Sequence, residues 1–207
     1  MKKANGAATE GKPPARGRPR SFDREAALER AMQVFWRHGY EASSVSDLTR
    51  AMGINPPSLY AAFGDKEHLY LAALERYEQG RRENVVQQLE EAATAREAIE
   101  GLLLAAAGEL TNAECRGCML STAQCGDERL QSTLAERRAA PKRVLKARFD
   151  RAVREGELPR GTDAGALADF YTTVFQGMAI QGRDGASRKS LVATARAAMR
   201  AWPKGVN

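Results

Sequence analysis

Apolar residues in this chain recur three and four positions apart between polar caps and glycine stops, and nowhere alternate for more than a few residues. That spacing is the period of a helix with one buried face, whereas a half-buried strand needs a period of two. The fold class is therefore all-α, with about nine helices and no internal repeat.

The punctuation places them. Asp23 caps a first helix that carries Leu28, Ala31, Met32 and Phe35 on one face and stops at Gly39. Ser44 opens a second, with Asp47 completing a shortened capping box, and Gly53 ends it. Asn55 caps a third, with Pro56 at the first helical position, where a missing N–H costs nothing. Asp65 caps a fourth that runs to about Glu91, interrupted only by Gly80. Ile99, Leu102, Leu103, Ala106 and Leu110 mark a fifth, and a short sixth covers Gly117–Cys125. The seventh runs from Asp127 to about Glu155, with a kink or break expected at Pro141. The eighth spans about Asp163–Arg183 and the ninth about Arg188–Trp202.

Charge is unevenly placed. Residues 1–20 hold six Lys and Arg against one Glu, while the whole 207-residue chain is only +6. Residues 1–21, rich in Gly, Pro and cations without an apolar period, read as a disordered basic arm. Within it Arg16, Arg18 and Arg20 flank glycine and proline like an AT-hook core, suited to a narrow minor groove. The plainer alternative is non-specific phosphate attraction by a mobile tail. No apolar run is long enough for a bilayer or a signal peptide, so the expected location is the cytoplasm, with no membrane partner. Three cysteines in so long a chain argue against a secreted disulfide scaffold.

The second and third helices form a bihelical unit with a tight turn at Gly53, and Leu48, Met52, Ile54, Leu59 and Phe63 are spaced to lock it against the first helix. The outward positions of the third helix, Asn55, Pro57, Ser58, Tyr60 and Ala61, are short or flat, as a helix entering the major groove requires. The run Phe35 to Leu48, with Gly39-Tyr40 ahead of Ser44-Val45-Ser46-Asp47-Leu48, resembles the start of the TetR family of transcriptional repressors. So do Ala51-Met52-Gly53-Ile54-Asn55 and the segment Ser58 to Leu69, with Leu59-Tyr60, Phe63 and Lys66-Glu67.

The resemblance implies a DNA-binding domain over residues 22–68 and an effector-binding and dimerisation domain over 69–207. It implies that the third helix reads the groove, that Tyr60 and Lys66 reach phosphates and that Ser44 anchors the backbone. Asn55, Pro56, Pro57, Ser58 and Ala61 then face base edges. Two C-terminal helices would form the bundle of a homodimer on a palindromic double-stranded operator. Thr49 stands where the family usually keeps alanine. Pro57 stands where a small residue is frequent and leaves few hydrogen-bond donors, so readout leans on thymine methyls and DNA shape.

Cys115 and Cys118 form a CxxC, with Cys125 seven positions further on. If the sixth helix forms, Cys118 and Cys125 share a face, and a helix N-terminus with Arg116 nearby would lower a thiol pKa. Three readings stay open: small apolar packing, sensing of oxidants or electrophiles, or a soft metal such as Cu(I) on the three sulfurs. The stripe containing Tyr171, Phe175 and Met178 is core or dimer packing, or, with Phe149 and Thr122, part of an effector pocket. His38 and His68 lack a second ligand at metal spacing, and no phosphate loop or catalytic motif appears, so the chain reads as no enzyme. The expected function is a repressor released by a small effector or by thiol or metal chemistry at Cys118. An architectural protein for AT-rich DNA without a ligand is the alternative.

Overall fold

Every helix starts where a side-chain oxygen meets its first free N–H groups, which have no partner inside the helix. The computed structural model describes residues 22–203, and the basic arm lies outside them. It contains α1 (Arg24–His38), α2 (Val45–Met52), α3 (Pro56–Phe63), α4 (Lys66–Glu91), α5 (Ala95–Glu109), α6 (Glu128–Glu155), α7 (Ala164–Arg183) and α8 (Arg188–Met199). Asp23, Ser44, Asn55, Asp65, Asp127 and Asp163 cap six of these helices, each accepting backbone N–H groups in the first turn. Among the described residues there is no strand, and no helix is long and apolar enough to cross a membrane.

The count is eight rather than nine, because residues 117–125 form turns and bends instead of a short helix. Gly117 takes a left-handed φ of 76° and donates to the Leu110 carbonyl at 2.9 Å. Arg116 donates to the carbonyls of Gly182 and Ala186 at the end of α7. These tertiary hydrogen bonds replace the local ones that a helix would make. The expected break at Pro141 is also absent, and α6 runs through it. One lost backbone bond is outweighed by burial on both sides, of Leu130 and Leu134 before the proline and Phe149 and Ala152 after it.

The helices α1, α2 and α3 pack with the first turns of α4 around Phe35, Leu48, Met52, Leu59, Phe63 and Leu69. Behind them α5 lies against α4 and α8, and α6 against α7. The closest approach to backbone involves Gly182, where an added Cβ would sit 2.5 Å from the Leu110 carbonyl oxygen. Gly182→Ala should therefore destabilise the protein by about 1–3 kcal/mol, since backbone cannot step aside as a flexible side chain would. Gly80 is exposed on α4, and a methyl group added there would meet nothing within 4 Å. Gly80→Ala should stabilise by about 0.5–1 kcal/mol. Opposite shifts of the two melting temperatures check this, and equal shifts would refute it.

Candidate nucleic-acid interface and interior cavity

The turn between α2 and α3 is fixed from three sides. Gly53 adopts φ 69° and ψ 33°, a left-handed conformation that glycine takes at little cost, and closes α2 through the Arg50 and Thr49 carbonyls. Arg30 of α1 donates to the Met52 carbonyl at 3.0 Å. Asn55 Oδ1 accepts from the Ser58 N–H at 2.9 Å and starts α3. Thr49 is buried, and its hydroxyl is taken up by the Val45 and Ser46 carbonyls, so it fits where a smaller residue would serve.

What α3 shows to solvent is one continuous surface. Asn55, Pro56, Pro57, Tyr60 and Ala61 are exposed, Ser58 is half-buried, and Leu59 and Phe63 face the core. Tyr60 is half exposed, unusual for so large a ring in the absence of a partner. Ser44 is also exposed, but its hydroxyl already bonds Asp47 at 2.6 Å. The Lys66 ammonium lies 4.4 Å from the centroid of the Tyr40 ring, which holds this cation at the start of α4. Arg50, highly exposed and paired with Asp47 at 3.2 Å, joins this surface; sequence reading passed over it, although a cation three residues beyond the capping-box acid was a visible signal. Arg16, Arg18 and Arg20 lie outside the described residues.

The second feature is a cavity of about 300 Å³ among α4, α5, α6, α7 and residues 118–121. Its walls are mainly apolar, with Ile99, Leu102, Leu103, Val144, Leu145 and Phe175. Of the residues singled out from sequence, Cys118, Tyr171 and Phe175 line it. Phe149, Met178, Thr122, Cys115 and Cys125 do not. Phe149 packs on Tyr171 and Trp202, Met178 is core, and Thr122 bonds the Cys118 carbonyl and Arg183. Sequence reading missed Tyr77, Arg81 and Thr172, which also line the cavity. Arg81, one turn beyond Tyr77, was detectable as a charge close to the buried face of α4.

Inside the cavity Tyr77 donates its hydroxyl to Cys118 Sγ at 3.2 Å, and burial pushes the phenol well above its ordinary value. The Arg81 guanidinium lies 5.4 Å from the Tyr77 ring centroid and pairs with Glu109 at 2.6 Å. Arg137 is likewise paired, with Glu75 and Glu78.

Without the sixth helix, Cys118 and Cys125 share no helical face, and Arg116 is spent on α7 carbonyls instead of serving a thiol. The three thiols have separate surroundings: Arg37 beside Cys115, Tyr77 beside Cys118, Glu41 beside Cys125. Burial raises the pKa of Cys115 and of Cys125. Among the described residues no group of three His, Cys, Asp or Glu could hold a metal.

The cavity and the interface are joined by the segment between α5 and α6. Arg37 of α1 donates to the Glu114 carbonyl at 3.0 Å, and Gly126 N–H donates to Glu41 at 3.0 Å. At its other side the segment is tied to α7 through Arg116 and through Arg183, which donates to Thr122 at 2.7 Å.

Three carboxylates around α2 and α3 titrate low. Glu41 is held below its ordinary 4.5 by the Gly126 N–H, Asp47 below 3.8 by the Ser44 hydroxyl, and Asp65 below 3.8 by the His68 N–H. A depressed folded-state pKa adds stability above the unfolded value that is lost as pH falls through the folded one. The melting temperature should therefore drop as pH falls below about 4.5. Asp65→Asn, which keeps the acceptor but not the proton site, should make that drop shallower in calorimetric melts; an unchanged acid limb would show that Asp65 does not contribute to it.

Comparison with known proteins agrees with this geometry. The family model of bacterial regulatory proteins of the tetR family matches residues 27–73. The transcriptional repressor ComR of Escherichia coli is 37% identical over 198 residues, 92% of this chain and 93% of that one. The repressor BdcR of the same organism is 32% identical over 181 residues, 86% and 88% of the two chains. A cysteine mutant of the TetR family regulator CifR, solved with 26-base-pair operator DNA, superposes with a TM-score of 0.86 at 41% identity, covering 90% of this chain and all of that one.

Proposed function

We propose that this chain, which belongs to the TetR family of bacterial regulatory proteins, represses transcription as a cytoplasmic homodimer and leaves its operator when a small molecule fills the cavity. The observation that carries the reading is α4. One 26-residue helix starts at Lys66, next to the α3 surface, and walls the cavity with Tyr77 and Arg81. Eleven residues of helical rise put Tyr77 about 16 Å from Lys66. A ligand that tilts α4 thus changes where α3 stands relative to its copy in the partner.

In this reading α3 enters the major groove of a palindromic operator, with Asn55, Pro56, Pro57, Ser58 and Ala61 at base edges. Tyr60, Lys66 and Ser44 hold the phosphates, and Arg16, Arg18 and Arg20 reach the adjoining minor groove. On α7 Ala166, Phe170, Thr173 and Ile180 are exposed, with Phe170 and Ile180 among the large apolar side chains left open to solvent, which supports pairing of two copies there.

A gel shift on DNA flanking the gene tests the DNA contacts. Tyr60→Phe and Lys66→Ala should weaken binding by a similar factor for every operator variant, because phosphate contacts position without specifying. A loss confined to one base pair would reassign them, and a monomer by light scattering at micromolar concentration would remove the dimer.

A second reading is favoured by the Tyr77–Cys118 hydrogen bond: the Cys118 thiol, facing the cavity, takes part in release. Cys118→Ser should then keep operator binding but resist release by N-ethylmaleimide or diamide. If wild-type complex ignores both reagents, Cys118 is a packing residue.

A further inference from the structure

Two residues on adjacent positions of α7 that line the cavity carry buried hydroxyls without a hydrogen-bond partner among the described residues. They are the Tyr171 phenol and Thr172 Oγ1. Tyr171 is 2% exposed, so water does not offset the loss, and a buried polar group left unpaired is costly. Helical threonines commonly return their hydroxyl to a carbonyl one turn back, as Thr133 and Thr194 do here. Thr172 does not.

From this we infer that the effector is a compact, uncharged organic molecule whose single oxygen acceptor, of carbonyl or ether type, is held by Tyr171 and Thr172 while its apolar body packs on Ile99, Leu103, Val144 and Phe175. The inference rests on the cavity being the effector site.

Size and charge narrow the class. A cavity of about 300 Å³ has room for roughly ten groups of water size, hence on the order of ten non-hydrogen atoms. Of the arginines that line it, Arg81 and Arg137 already have carboxylate partners. A carboxylate ligand would have to displace these or stay buried among aliphatic walls, where an unpaired charge is far more costly than an unpaired hydroxyl. Arg82 and Arg138 also border the cavity, Arg82 exposed and Arg138 half-buried, and they define the rival outcome, an anionic ligand. Burial pushes the Tyr171 phenol up to about 12, so it remains protonated as a donor throughout the physiological range.

Three probes of matched shape separate the possibilities: acetophenone, its hydrocarbon counterpart cumene, and benzoate. In titration calorimetry with the intact protein, acetophenone should bind about five- to tenfold more tightly than cumene, and benzoate should bind most weakly. Tyr171→Phe and Thr172→Val, both close in volume to the native residues, should each remove several-fold of the acetophenone affinity. Retained cumene binding in the variants shows the cavity intact. Benzoate binding more tightly than acetophenone, no binding of acetophenone to the wild type, or equal acetophenone affinity in wild type and both variants would overturn the assignment. A parallel gel shift keeps the two readings apart. Acetophenone that binds without releasing operator DNA argues against the effector role of the cavity. Benzoate that releases it argues against the uncharged class.

Discussion

The packing of α1 on α4 is the contact on which the rest depends. Phe35 meets Tyr70 edge-on at 4.9 Å and Trp36 meets Tyr77 edge-on at 4.8 Å, so consecutive residues of α1 engage positions two turns apart on α4. Edge-to-face aromatic pairs add about 0.5–1.5 kcal/mol each beyond the area that they bury. Arg76 reinforces the pair from the surface through Glu25 and Glu29, though such exposed ion pairs contribute little. Tyr77 is the member with two duties: its ring holds Trp36 of the DNA-facing unit, and its hydroxyl holds Cys118 in the cavity. A displacement on one side of that ring is felt on the other.

Local chemistry made much of this fold legible. Asp23, Ser44, Asn55 and Asp65 announce helix starts because a short oxygen-bearing side chain can reach the second or third N–H only in that geometry. Gly39 and Gly53 mark ends for the complementary reason, both having positive φ. The region between α5 and α6 escaped because its hydrogen bonds go to residues some 66 to 85 positions away, as with Arg116 to Gly182 and Gly126 to Glu41. No window along the chain contains that information.

The cavity was only partly legible, for a related reason. Tyr171 and Phe175 stood out as aromatic residues on an apolar stripe, but so did Phe149 and Met178, which turned out to be core. Periodicity says that a face is buried without saying whether it meets side chains or space. Arg81 and Thr172, which give the cavity its polarity, draw their meaning from neighbours on other helices. Cys118 shows the same lesson: it lines the cavity, while the helix start and the Arg116 charge invoked for it are absent.

The anchoring of the segment between α5 and α6 has a consequence for how the chain tolerates change in length. Connections between helices usually absorb insertions cheaply, because doubling a loop adds only about 0.6 kcal/mol of closure entropy. This one is pinned at Glu114 to α1, at Gly126 to Glu41 in the turn that follows α1, and at Arg116 and Thr122 to α7. Along barely a dozen residues the two inner pins go to α7 and the two outer ones to the other side, like stitches crossing a seam and coming back. One residue more or less would put every later stitch out of register, so the longest stretch without regular structure among the described residues is one of those least free to drift in length.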